Sequence, residues 1–173
     1  MLKGQDILLL LKLSNEADGW TIRSVGEDLG LDPASVHRAL KRLQEARLLR
    51  GDGRTVDRLR AEEVLLHAVK YMFPPRQGGL SRGVPTAWAA APLSELLVVG
   101  EEPPPVWPDP TGKARGIALE PIHRNAPKLA RHDPFLAESL ALLDALRIGS
   151  ARERDLAARE LRNRLGQPAL VVQ

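Results

Sequence analysis

The residues best equipped for chemistry lie between Asp32 and Arg60. That stretch holds eight Lys or Arg against four Asp or Glu, a net of +4, whereas residues 1–31 hold three against five, a net of −2. A local excess of cations is the electrostatic footprint of a phosphate binder. Other chemistries find less support. The four histidines, His37, His67, His123 and His132, never pair at i, i+4, and no carboxylate–histidine spacing suits a metal ion. Neither a strained Gly-x-Ser-x-Gly nucleophile turn nor a glycine-rich phosphate loop is expected. The expectation is therefore no catalytic residue, no metal and no cofactor.

The cations must be held by the elements around them. Trp20-Thr21 reads as a helix start, with Thr21 as N-cap and Val25 at the spacing of a hydrophobic staple to Trp20. This helix is predicted over residues 22–29, ending at Gly30 as a left-handed cap. Asp32 then caps a second helix with Pro33 at its first position, where a missing N–H costs nothing. It is predicted over Pro33–Arg47. Val36, Leu40 and Leu43 form its buried face, with Ala39 beside them, and Ser35, His37, Arg38, Lys41 and Arg42 lie outside. An earlier helix is predicted over Lys3–Leu13. After Leu48-Leu49 comes Gly51-Asp52-Gly53, a strong hairpin signal between strand-like flanks.

Gly26, Gly30 and Val36, with apolar Val25, Leu29 and Leu31, resemble a helix-turn-helix. Gly26 stands where alanine is commoner, which weakens that helix slightly. Helix, helix, helix and hairpin over residues 3–60 resemble the winged helix-turn-helix of bacterial MarR-type regulators. The resemblance implies a recognition helix at 33–47 with its N-terminal part nearest the base edges of double-stranded DNA. On that geometry Ala34, Ser35, His37 and Arg38 are the expected base contacts. Arg38 is the sharpest of these, since arginine grips guanine through two parallel hydrogen bonds. Lys41 and Arg42, with Arg54 on the wing, are the expected phosphate contacts.

Beyond the wing the chain changes character. Eleven of its fourteen prolines fall in residues 74–127, which rules out long helices there. Trp88, Trp107, Leu96, Leu97, Val98 and Val99 supply apolar surface that a solvated linker would not carry. The segment is expected to be irregular, with short strands at Leu96–Val99 and Arg115–Ile122 and a mobile tip from Gly100 to Lys113. Flanking it are predicted helices at 61–73, with Val64, Leu65, Ala68 and Met72 as its stripe, and at Pro134–Ile148, capped by Asp133. A last helix follows Ser150, with Leu156, Leu161 and Leu165 as its stripe. Ser150 and Glu153 have the spacing of a capping box. That reading outweighs the faint similarity of Gly149-Ser150 to the opening of a nucleotidyltransferase site. Trp88, Trp107 and Tyr71 could line an effector pocket, but core packing is the plainer expectation.

The fold class expected is mainly α: a winged helix-turn-helix with connecting helix (1–73), a Pro-rich irregular segment (74–127) and a C-terminal αα-hairpin for oligomerisation or partner binding (128–173). No run approaches the ~18 apolar residues of a membrane span, the start lacks a signal-peptide cleavage pattern, and there are no cysteines. These features point to the cytoplasm. The function expected is a sequence-specific transcriptional regulator, a homodimeric repressor reading two half-sites roughly 34 Å apart. The alternative is an antitoxin-like protein whose residues 74–173 restrain a protein partner.

Overall fold

The computed structural model describes residues 1–98 and 100–166. They divide into two compact units, one of residues 1–63 with 165–166, the other of residues 64–164. This differs from the three zones expected. The first boundary falls ten residues earlier than 73, and the Pro-rich segment and the C-terminal helices belong to one unit.

The first unit contains α1 (Gly4–Ser14), α2 (Ile22–Leu29), α3 (Pro33–Glu45) and α4 (Arg58–Glu63). Its core gathers Ile7–Leu11 and Leu13 of α1, Val25 and Leu29 of α2, and Val36, Ala39 and Leu43 of α3. Leu40 is only half-buried, and Ala39 takes the inner position expected for it. α3 stops two residues short of the expectation because Arg47 turns left-handed, at φ 61°. The amides of Arg47 and Leu48 then satisfy the carbonyls of Gln44 and Leu43. The hairpin that follows is minimal. Leu49 and Val56 form a single antiparallel bridge, flanked by the bonds Arg50 N–Thr55 O and Asp57 N–Leu48 O.

The second unit begins with one π-helical turn, Val64–Ala68, which runs into α5 (Val69–Met72). The π turn displaces the apolar stripe: Leu65 is buried as expected, but its buried companions are Leu66 and Val69, while Val64, Ala68 and Met72 are half-buried. Three strands follow, β1 (Gln77–Pro85), β2 (Pro105–Pro108) and β3 (Ala114–Leu119), with α6 (Leu93–Leu96) between the first two. β1 pairs antiparallel with both other strands, and β2 pairs parallel with β3. The expected strand at Arg115–Ile122 is thus present but shifted, whereas Leu96 ends α6 and Val98 is fully exposed. Val99 lies outside the described residues. The expected mobile tip instead supplies β2, whose Trp107 is buried.

α7 (Ala126–Leu129), α8 (Pro134–Ile148) and α9 (Ala151–Gly166) complete the order. α8 packs against α5, α7 and the 3₁₀ turn Ala87–Ala89. It is buried on almost every side from Leu136 to Leu146, which explains its lack of a polar face. The expected caps are present. Asp133 accepts from the Leu136 amide at 3.0 Å, and Ser150 and Glu153 exchange bonds of 3.1 and 3.3 Å. On α9 the buried positions are Ala157, Leu161 and Leu165, while Leu156 is half-buried.

The centre of this unit is Asp144, on α8 and 1% exposed. Its carboxylate accepts from Thr86 Oγ1 and Trp107 Nε1, both at 2.7 Å, and from Arg147 at 2.8 Å. Burial pushes this carboxyl up from its ordinary value, and Arg147, Thr86 and Trp107 oppose the shift. Arg147 also donates to the carbonyls of Phe73 and Glu120. One helical residue pair therefore ties the Pro-rich segment down at several points. Trp107 is core, as its chemistry suggested, but Tyr71 is 76% exposed, so the three aromatics do not form one set.

Candidate nucleic-acid interface

Two features force the turn between α2 and α3. Gly30 adopts φ 69°, a left-handed conformation that costs glycine little. Gly26 allows the chains to close on each other: a Cβ there would sit 2.7 Å from the Leu31 carbonyl oxygen and 3.3 Å from Val36 Cγ2. The position is therefore one with no room for alanine, not merely a weaker alanine. α2 is capped by Thr21, whose hydroxyl accepts from the Ser24 amide at 3.0 Å. α3 is capped by Asp32, which accepts from the Ser35 amide at 2.8 Å and its hydroxyl at 2.7 Å. Those bonds hold the Asp32 carboxyl below its ordinary range.

α3 presents Ala34, His37, Arg38 and Lys41 to solvent. Ser35 is half-buried, and its hydroxyl joins a short chain: Arg38 donates to it at 3.2 Å, and it donates to Asp32. The Arg38 guanidinium is thus steered toward the N-terminal end of the helix. This is the end that approaches base edges when such a helix lies in a major groove.

Arg42 departs from the expectation. Its Nε and Nη2 donate to the two oxygens of Asp6 at 2.8 and 2.9 Å, and Asp6 is fully buried on α1. The paired carboxylate raises the Arg42 pKa further. A guanidinium bound in this bidentate way fixes α3 against α1 and has two of its three nitrogens committed to Asp6. The sequence carried a signal for it. Asp6 shares the i, i+4, i+7 spacing of Leu10 and Leu13, which puts a carboxylate in an apolar stripe, where it must find a cation.

The wing is built around Asp52. Its carboxylate accepts from the amides of Arg54 and Thr55 and from the Thr55 hydroxyl, at 2.8, 2.9 and 2.6 Å. These bonds, the Thr55 hydroxyl foremost, lower its pKa to about 2. Arg54 lies 4.1 Å above the centroid of the Trp20 ring and donates to the Trp20 carbonyl. It remains solvent-exposed, as does Arg50 on the opposite arm, a wing cation that the sequence reading passed over. Gln44 stands against the wing tip, within 3.5 Å of where a Gly53 side chain would begin.

Gly79–Gly83 does spell Gly-x-Ser-x-Gly, yet it lies extended in β1, where Ser81 Oγ donates to the Arg82 carbonyl. A nucleophile turn needs the serine on a sharp bend between strand and helix. Among the described residues, no three His, Asp or Glu side chains converge on a metal position, and no helix is long and apolar enough to cross a membrane.

Comparison with known proteins agrees with the geometry. Neither a search of curated proteins nor one of solved structures returns a match. A family model does match the N-terminal part: residues 3–53 fit the IclR helix-turn-helix domain. The match covers α1, α2, α3 and the first arm of the wing, and it supports a winged helix-turn-helix of IclR type over the MarR type named from the order of elements. The N-terminal unit thus carries the DNA-binding domain of a transcriptional regulator.

Proposed function

We propose that the chain is a sequence-specific transcriptional repressor of the cytoplasm that binds an inverted repeat as a homodimer, with α3 in the major groove. The observation that carries this reading is the exposed face Ala34–His37–Arg38–Lys41 on a helix whose opposite face is locked into the core. Arg38, His37, Ser35 and Ala34 read bases, and Lys41, Arg54 and Arg50 hold phosphates. A homodimer doubles the number of bases read, and closed two-fold dimers are the commonest assembly.

The test is a pull-down of sheared genomic DNA by the full chain at about 0.15 M salt, where weak non-specific binding is suppressed. The expected result is a few enriched fragments that share an inverted repeat. Arg38→Ala relaxes the sequence preference, whereas Lys41→Ala weakens binding to all sequences alike. Equal recovery of every fragment by the native chain and by Arg38→Ala overturns the assignment.

A second reading, an antitoxin-like protein whose residues 74–173 restrain a protein partner, draws support from Leu80, Leu96 and Val98. These apolar residues of the second unit are 60%, 50% and 101% exposed. A neighbouring gene that is toxic only without this chain favours it. The terminal residues 168–173, an apolar tail in the sequence, lie outside the described residues.

A further inference from the structure

The antiparallel pairing of β1 with β3 sets Arg82 directly opposite Arg115. Both are exposed, and residues opposite each other in such a pair point to the same face of the sheet. Like charges in this position repel, so the arrangement works against the strand pairing. Lys113, just before β3, is also exposed and borders the same recess. The three cations share one shallow recess with Leu80, Ser81 and Ala114.

A carboxylate would ordinarily be found among them. The acid in this corner is Asp109, whose amide bonds to the Arg82 carbonyl. Its side chain is committed elsewhere: it accepts from the Thr111 amide at 2.8 Å, from the Thr111 hydroxyl at 2.9 Å and from Arg131 at 2.5 Å. Two arginines at paired strand positions, both bordering one recess, can each offer an anion parallel N–H···O bonds. The recess is shallow, and half of its lining residues are cations, which suits an exposed polyanion better than an enclosed small ligand.

We infer that Arg82, Arg115 and Lys113 form a second phosphate-binding surface of this chain, one that holds the sugar-phosphate backbone of DNA without reading its sequence. The inference rests on the DNA-binding reading of the N-terminal unit and adds a contact in the second unit.

The experiment measures binding of the full chain to an unrelated 20-base-pair duplex over a series of salt concentrations. Each phosphate contact contributes about 0.9 to the slope of log affinity against log salt. Arg82→Gln/Arg115→Gln is expected to lower that slope by about 2, and Lys113→Gln, outside the paired strands, by about 1. The melting temperature of the double variant stays equal or rises, because the repulsion is relieved. Unchanged slopes in both variants overturn the inference while leaving the recognition helix intact. A lowered melting temperature with an unchanged slope for Lys113→Gln also overturns it, since the pair would then be structural. Loss of binding to polyglutamate, with DNA binding retained, overturns it in favour of an acidic protein segment. Failure of the native chain to bind any duplex overturns the DNA-binding reading itself.

Discussion

Each unit buries one aspartate on a helix and uses it in the opposite way. Asp6 in the first unit takes a full guanidinium from a distant helix, 36 residues away, and so sets how α3 lies on α1. Asp144 in the second unit takes its cation from its own helix, three residues on, and spends its remaining lone pairs on neutral donors from the irregular segment. In the first case the charge pair aligns two regular elements that would pack somehow without it. In the second it substitutes for regular structure, holding Thr86 and Trp107 where prolines forbid a helix. Losing the Asp144 carboxylate should therefore do more damage than losing the Asp6 carboxylate.

Asp144→Ala is the largest expected effect. It strands a buried Trp N–H, a hydroxyl and Arg147 together and is expected to cost about 3–5 kcal/mol in urea unfolding. Asp6→Ala leaves Arg42, still 20% exposed, to find water, and about 2–4 kcal/mol is expected. The double change Asp6→Leu/Arg42→Met should recover most of that loss, because an apolar pair of similar volume can replace a buried ion pair. The contrast between the units breaks if the two single variants cost the same, or if the double change fails to recover stability.

Smaller effects sharpen it. Gly26→Ala gains about 1 kcal/mol of helix propensity, yet its Cβ would press on the Leu31 carbonyl, so a net loss of about 1–3 kcal/mol is expected by thermal unfolding. Arg47→Gly relieves a left-handed arginine and should stabilise by about 0.5–1 kcal/mol. If it also weakens binding to all DNA, the strain serves a phosphate contact. Asp52 gives the smallest effect. Its folded pKa, about 2, lies below the ordinary 3.8, so its contribution to the wing is complete above about pH 4 and is lost as pH falls toward 2. The protection of the Arg54 and Thr55 amides, taken relative to their intrinsic exchange rate at each pH, should fall over that range, and in Asp52→Ala it should be low at every pH.

The units also differ in how far they could be read from sequence. Thr21, Asp32, Asp133 and Ser150 each bond an amide three residues on, so the helix starts they mark were legible, as was the end of α2 at Gly30. The pairing of Arg42 with Asp6 was not read, because the partner lies on another helix. β1 was missed for a related reason. Its Gly78-Gly79 and Gly83 argue against a strand in isolation, but a Cβ at Gly83 would come 2.0 Å from the Trp107 carbonyl oxygen, so the tertiary neighbour dictates the residue. The face of α3 was legible because helical spacing alone separates inside from outside, and Arg42, at the edge of that stripe, is where spacing ceases to decide.

The stacking of Arg54 on Trp20 has an optical consequence. Trp20 lies beside the wing within the N-terminal unit, under the Arg54 guanidinium, whereas Trp107 is enclosed at 2% exposure. A phosphate that draws Arg54 away uncovers the indole to water, and its emission shifts to longer wavelength. Engagement of the wing can thus be followed by fluorescence, without a dye, on the time scale of mixing, with Trp20→Phe as the control that removes the signal.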